Sequence, residues 1–291
     1  MFVPLFFYHI AMVEFLQSPG PIGVFDSGYG GLTILDSIRK VLPQYDYVYL
    51  GDNARAPYGS RSFEIIYEFT RQAVINLFEK GCHLIIIGCN TASAKALRSI
   101  QMNDLPGLDP KRRVLGVIRP TAEAIGNITK SRHVGIFGTA GTIISGSYPM
   151  EIKKLFPNIT VVGQACPMWV PLVENDESNN DGADFFVRKY IDTLLAKDPL
   201  IDTVVLGCTH YPLLYPKIRA YLPDHIQIVS QGTLVPNSLK DYLFRHPEME
   251  ESCTRGGGCE FYTTESEDKF KESATVFLNQ PIENVHRVVL E

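Results

Sequence analysis

No run of apolar residues in this chain reaches the roughly 18 to 20 needed to span a bilayer as a helix. The nearest candidate, Met1 to Leu16, is interrupted by His9 and Glu14 and lacks the basic leading region of an export signal. Met12 stands just ahead of the first convincing strand, so residues 1–11 are read as a start-site extension or a loosely attached tail. Basic clusters are equally scarce. Lys+Arg number 27 against 32 Asp+Glu, and no cluster is longer than Lys111-Arg112-Arg113, which argues against a protein organised around nucleic acid. Six cysteines in 291 residues are too few for a secreted disulfide scaffold and fit a reducing cytoplasm. Cys253 and Cys259 have no second Cys/His pair at ligand spacing, so no metal site is expected. The run Gly28-Tyr29-Gly30-Gly31 lacks the G-x-G-x-x-G spacing of a dinucleotide loop, and no cofactor lysine motif is visible. The expectation is a chain with no cofactor and no nucleic-acid or membrane partner.

What is present is a chain 45% hydrophobic and 20% charged, able to bury a sizeable core. Short apolar runs alternate with amphipathic stretches. Strands are expected at Ile22–Phe25, Tyr47–Leu50, Leu84–Ile87, Val114–Val117, His133–Phe137, Thr160–Val162 and Thr203–Leu206. Helices are expected at Leu32–Val41, Ser62–Lys80, Thr91–Ile100 and Leu213–Tyr221. Such alternation argues for an α/β fold with parallel sheets. Glu248–Glu260 reads as an exposed loop, before a closing strand at Phe261–Thr264, a helix at Lys269–Leu278 and a strand at Val285–Leu290.

The chain also echoes itself. Ile22-Gly23-Val24-Phe25 matches Val134-Gly135-Ile136-Phe137, 112 residues on. Ile85-Ile86-Ile87-Gly88-Cys89 matches Val204-Val205-Leu206-Gly207-Cys208, 119 residues on. Two matches in the same order suggest two similar halves, although apolar strands ending in glycine are common in any α/β protein. In open α/β sheets the working groups stand at the carboxyl ends of strands. Two halves facing each other would bring Cys89 and Cys208 to one cleft. The expected division is an extension over residues 1–19, a first α/β domain of 20–118 with 230–291, and a second of 119–229.

A single cysteine at a strand end is more often core filler than catalyst. A matched pair suits chemistry that removes a proton from one face of a carbon and returns one to the other. A free thiol has a pKa near 8.5, so each would need a site that favours thiolate, and a helix N-terminus can help. Asp26, ending the first strand, and His210, two residues past Cys208, are candidate partners; either could equally be a cap. A hydrolase with one nucleophilic cysteine and a non-enzymatic ligand- or partner-binding protein are the competing readings.

The segments GVFDSGYGGLTIL, YLGDNARAPYG, IGCNTASA, GVIRPTAEA, CPMWVPLVE and LGCTHYPLL resemble, in the same order, those of the glutamate racemase family of cofactor-independent amino-acid racemases. That resemblance implies an enzyme interconverting L- and D-glutamate and supplying D-glutamate for peptidoglycan, with aspartate racemisation as the nearest alternative. It implies Cys89 as the thiol on the D-glutamate face and Cys208 on the L-glutamate face. Asp26 would assist Cys89, and His210 and Glu174 would assist Cys208. Asp26, Ser27, Pro57, Tyr58, Gly59, Asn90, Thr91, Thr209 and His210 would contact substrate, with Asp52 close by. None of these is Arg or Lys, and Arg55, the nearest in sequence, is expected at the surface. A homodimer is implied by the same resemblance. Where the family often has a Ser-Gly turn after its last strand, this chain has Ser230-Gln231-Gly232.

Overall fold

The computed structural model describes residues 18–291. The expected extension over residues 1–11, and all of 1–19 but Ser18 and Pro19, lie outside the described residues. Two parallel sheets organise the rest, each with helices on its faces. The first is built from β1 (Ile22–Asp26), β2 (Tyr47–Gly51), β3 (Leu84–Ile87) and β4 (Arg113–Gly116), with two strands from the end of the chain, β9 (Cys259–Thr263) and β10 (Val285–Arg287). Its order is β10-β9-β2-β1-β3-β4. The second comprises β5 (His133–Gly138), β6 (Thr160–Ala165), β7 (Thr203–Gly207) and β8 (Gln227–Val229), in the order β6-β5-β7-β8. All the pairings are parallel.

The internal echo in the sequence has a topological meaning. β2-β1-β3-β4 and β6-β5-β7-β8 are the same arrangement, so β1 corresponds to β5 and β3 to β7. The shared strand glycines have a packing reason. A Cβ on Gly135 would lie 2.6 Å from Leu194, and one on Gly23 would lie 3.1 Å from Ile85 and 3.3 Å from Leu77. Small residues there let a helix lie close on the sheet. The aliphatic strands are buried on both faces. Val24, Tyr49 and Ile86 face one layer of helices, while Phe25, Leu50 and Ile87 face the other. Each fully buried Ile, Leu or Phe contributes about 1.5–3 kcal/mol relative to exposure.

The helices that position the cleft are α1 (Gly31–Val41), α2 (Phe63–Glu79), α3 (Asn90–Lys95), α4 (Ile118–Ile128), α5 (Ala140–Ser145), α6 (Ser147–Leu155), α7 (Trp169–Glu174), α8 (Asp181–Lys197), α9 (Tyr215–Tyr221), α10 (Gln231–Arg245) and α11 (Glu267–Leu278). The chain passes from the first sheet to the second through α4 and returns at Ser230-Gln231.

Four expectations need correction. The helix expected over 91–100 stops at Lys95, and the chain continues through Leu97–Ser99 into a wider turn at Ile100–Asp104. The break falls at Ala96, whose φ of −113° departs from helical backbone geometry. The last strand ends at Arg287, because Val288 makes the final bond to Thr263, the last residue of β9. Glu248–Glu260 is not simply an exposed loop. Pro247–Glu251 is a short helix, Cys253 is buried with Met249, Leu239 and Leu243, and Arg255 bridges to Tyr45. The 3-10 turn Tyr211–Leu214 precedes α9, so that helix begins at Tyr215. The apolar pattern does not announce β8 or α10. β8 has three residues, and α10 carries an internal Pro236 that masks its periodicity.

Candidate active site

The carboxyl ends of both sheets converge on one cavity of about 130 Å³. Its lining includes Cys89 from beyond β3 and Cys208 from beyond β7, both nearly buried at 6% and 7% exposure.

Asp26 ends β1 and is buried. Its Oδ1 accepts the Gly28 N–H at 2.9 Å, a turn that fixes the carboxylate at the strand end. Burial pushes Asp26 up to about 6, against the charge of His210 and the N–H groups of Gly28 and Gly31. The glycine run beside it is a matter of space. A Cβ on Gly31 would lie 2.3 Å from the Asp26 Cβ, and one on Gly30 would lie 2.3 Å from Thr209 Oγ1 and 2.6 Å from His210 Nδ1. This loop lets two domains touch.

Cys89 caps α3, its sulfur accepting the Ala92 N–H at 3.4 Å, with Ser27 Oγ at 3.3 Å. The helix terminus does not prevail here. Burial, then the charge of Asp26, push the Cys89 thiol up to about 12, outweighing the bonds from Ser27 and Ala92 that favour thiolate. The help expected from the helix terminus is thus outweighed by burial and by Asp26, which favour the thiol form.

On the second side, His210 links two groups. Its Nδ1 is 3.8 Å from Cys208 Sγ and its Nε2 is 3.0 Å from Glu174 Oε1. Glu174 is the last residue of α7. Burial alone would lower the His210 pKa, but hydrogen bonds and charges from Cys208 and Glu174 together lift it to about 10. These two partners favour the charged form of the imidazole. Thr209 reaches across the cleft, its Oγ1 3.5 Å from Asp26 Oδ2.

The loop after β2 closes the cavity. Pro57 follows a cis peptide bond, and Tyr58 donates its hydroxyl to Asp52. Asp52 is fully buried and also accepts from Thr264 Oγ1 at 2.9 Å and Arg55 Nε at 2.7 Å. Arg55 is not a surface group: its guanidinium lies 3.9 Å over Phe69 and pairs with Asp52. Asp52 and Arg55 thus stand behind Tyr58 and do not line the cavity. Gly59 meets the second domain directly, its carbonyl accepting the Gly141 N–H at 2.8 Å. Thr91 Oγ1 is 2.9 Å from Thr139 Oγ1.

All the residues singled out for catalysis or substrate contact line the cavity except Asp26, which lies just behind it. Asn90 has its side-chain amide engaged with Gln231 and Tyr148, so its backbone is the part left for a ligand. Thr139 and Cys166 also line the cavity without having been singled out. The internal echo marks Thr139, which follows Gly138 as Ser27 follows Asp26. Cys166 follows β6 as Asp52 follows β2, but those strands share no obvious sequence. The lining contains neither Lys nor Arg. An anionic ligand would meet backbone N–H groups, the hydroxyls of Ser27, Thr91, Thr139 and Thr209, and His210. Among the described residues, no group of three or more His, Cys, Asp or Glu is arranged to hold a metal ion, and no helix is long and apolar enough to cross a membrane.

Known proteins share both the sequence and this architecture. Residues 32–234 match the Asp/Glu/Hydantoin racemase family. A glutamate racemase of Ruegeria sp. (strain TM1040) is 40% identical over 271 residues, covering 90% of this chain and 97% of the relative. The glutamate racemase isoform RacE1 of Bacillus anthracis superposes with a TM-score of 0.84 at 34% identity, over 93% of this chain and 98% of that one. The glutamate racemase of Francisella tularensis subsp. tularensis SCHU S4, solved in complex with D-glutamate, superposes with a TM-score of 0.83 at 31% identity, over 94% of this chain and 98% of that one. With two matched parallel-sheet domains, a thiol at the end of each and relatives of this closeness, the chain belongs to the Asp/Glu/Hydantoin racemase family, among its glutamate racemase members, and is an isomerase.

Proposed function

We propose that this cavity interconverts L- and D-glutamate by proton transfer at Cα between Cys89 and Cys208. The observation that carries the reading is the pair of thiols at corresponding strand ends of two sheets that share the same four-strand order, both facing one cavity. One thiolate takes the Cα proton, so the Cα–H bond breaks and an S–H bond forms. The opposite thiol then gives its proton to the other face of Cα and becomes the thiolate. Cys89 serves the D-glutamate face and Cys208 the L-glutamate face.

The two sides are prepared differently. His210, held by Glu174, stands beside Cys208, placed to exchange a proton with its sulfur. At Cys89, burial and Asp26 oppose the thiolate, and the bonds from Ser27 and Ala92 favour it. Asp26, pushed up to about 6, is a proton-accepting neighbour for the same thiol. Negative charge developing on the α-carboxylate is received by N–H groups and hydroxyls lining the small cavity. Ser27, Pro57, Tyr58, Gly59, Asn90, Thr91 and Thr209 form the substrate contacts. The steps use side chains of this chain alone and call for no cofactor.

Glutamate is favoured over aspartate by the names of the relatives and by the D-glutamate complex of the Francisella protein. The family resemblance supports a cytoplasmic homodimer supplying D-glutamate for peptidoglycan. It is likewise consistent with domains of 20–118 plus 230–291 and of 119–229. A chiral assay on purified protein without added cofactor, comparing L-glutamate with L-aspartate in D2O, tests the reaction. Conversion of glutamate with deuterium incorporated at Cα is expected. Turnover of aspartate in preference to glutamate would overturn the substrate assignment, and product free of solvent deuterium would overturn the proton-transfer reaction.

A further inference from the structure

Gln231, in the Ser230-Gln231-Gly232 turn, occupies an unusual place. It is the first residue of α10, directly after the last strand of the second sheet, and is only 3% exposed. Its Oε1 accepts from Asn90 Nδ2 at 2.7 Å. Its Nε2 lies within hydrogen-bond distance of Asn90 Oδ1 (3.0 Å), Tyr148 Oη (2.9 Å), Val117 O (3.2 Å) and Thr121 Oγ1 (3.2 Å). Tyr148 completes the network by donating to Asn90 Oδ1 at 2.7 Å.

These partners are not a random selection. Val117 and Thr121 belong to the outward passage between the sheets, and Gln231 to the return. Tyr148 lies on α6 of the second domain. Asn90 is the first residue of α3, adjacent to Cys89. One buried amide thus joins both interdomain passages to the residue next to a cavity thiol. Buried polar networks of this kind are stiff when fully satisfied and costly when broken, because each orphaned group loses water as well as its partner.

We infer that Gln231 is a positioning residue: through Asn90 it holds the start of α3, and with it the Cys89 sulfur, in register with the second domain. The inference rests on the proposed two-thiol reaction. An error of about 1 Å in placing a reacting group can cost on the order of a hundredfold in rate. Loss of Gln231 therefore lowers kcat more than it raises KM, and does so through the Cys89 step.

The test is Gln231→Leu, with Tyr148→Phe as a milder variant that removes only the phenol's bonds. Both are assayed on glutamate deuterated at Cα, in each direction. About a ten- to hundredfold fall in kcat is expected for Gln231→Leu, and a smaller one for Tyr148→Phe. The isotope effect on kcat/KM should rise for D-glutamate and fall for L-glutamate, because the Cys89-side barrier becomes the more limiting of the two. General loosening of the fold would not move the two effects in opposite directions. An unchanged kcat, or a fall with both isotope effects unmoved, would overturn the inference. If Gln231→Leu does not fold, Tyr148→Phe decides by the same pair of isotope effects. Cys89→Ser is assayed alongside. If it still racemises, the two-thiol reaction itself fails; if it is inactive while the isotope effects stay put, only the role of Gln231 falls.

Discussion

His210 and Glu174 stand 36 residues apart in the chain and 3.0 Å apart in the fold, Nε2 to Oε1, while the other ring nitrogen of His210 faces Cys208. This line of three groups gives the second side of the cavity an electrostatic character that the first side lacks.

Glu174→Gln should therefore act on the imidazole. Without the carboxylate, the His210 pKa falls from about 10, and the alkaline limb of the rate profile moves to lower pH. Turnover should fall by about a hundredfold, the low end for positioned acid–base groups. His210→Asn should lose turnover similarly. A pH–rate profile unchanged in Glu174→Gln would disconnect the carboxylate from His210.

Cys89→Ser and Cys208→Ser should each nearly abolish racemisation, since an alcohol forms too little alkoxide at neutral pH. With a glutamate analogue that expels a leaving group after Cα deprotonation, the losses should separate by face. Cys89→Ser should still process the L-like analogue, and Cys208→Ser the D-like one. Equal loss on both enantiomers would argue against one thiol per face.

Asp26→Asn should lower turnover and also leave a signature in stability. Burial raises the carboxyl from 3.8 to about 6 in the folded chain, so the native state holds its proton longer than the unfolded state. Asp26 then makes stability fall as pH rises through that window. Urea unfolding at several pH values should show wild type losing ground to Asp26→Asn between about pH 4 and pH 6. A constant difference across that range would mean Asp26 is not held neutral by its surroundings.

Gly31→Ala should push Asp26 out of place, because the new methyl would lie 2.3 Å from the Asp26 Cβ. A destabilisation of about 1–3 kcal/mol is expected, with reduced turnover. Gly107→Ala is the control: nothing lies within 4 Å of its Cβ position, and it should stabilise by about 0.4–1 kcal/mol. Thermal unfolding and chiral assays on both variants check the pair. Normal activity in Gly31→Ala would show that Asp26 tolerates displacement.

Asp202 offers a test remote from the cavity. It accepts from Thr129 Oγ1 and from the backbone N–H groups of Lys130 and Ser131. Burial opposes ionisation, but these bonds and that of Thr203 outweigh it and lower the carboxyl from 3.8 to about 2. The stability it contributes is present above about pH 4 and is lost as pH falls through about 2. Asp202→Asn should be less stable than wild type at neutral pH, with the gap closing in acid and racemase activity retained. A gap that persists below pH 2 would contradict this.

Much of the architecture was legible in local patterns. Ile85–Ile87 reads as a doubly buried strand because its neighbours in sequence are all aliphatic, and Gly88-Cys89 ends it because glycine follows. The echo at Val204–Cys208 repeats the same local information, so both thiols could be placed at strand ends before any contact was known. Residues that act through chain neighbours, such as Cys89 capping α3, belong to this group.

What depended on the tertiary structure was every property that sums over distant residues. The Cys89 thiol is pushed up because the fold buries it beside Asp26, 63 residues away, and no helix-terminus argument could weigh that. Arg55 turned inward because Asp52 and Phe69 meet it there. Gln231 reached Asn90 across 141 residues, at the point where the two passages between domains touch. Periodicity and turn chemistry act over a few residues and are written in the chain itself. Burial, charge coupling and cross-domain hydrogen bonds exist only once the two sheets face each other.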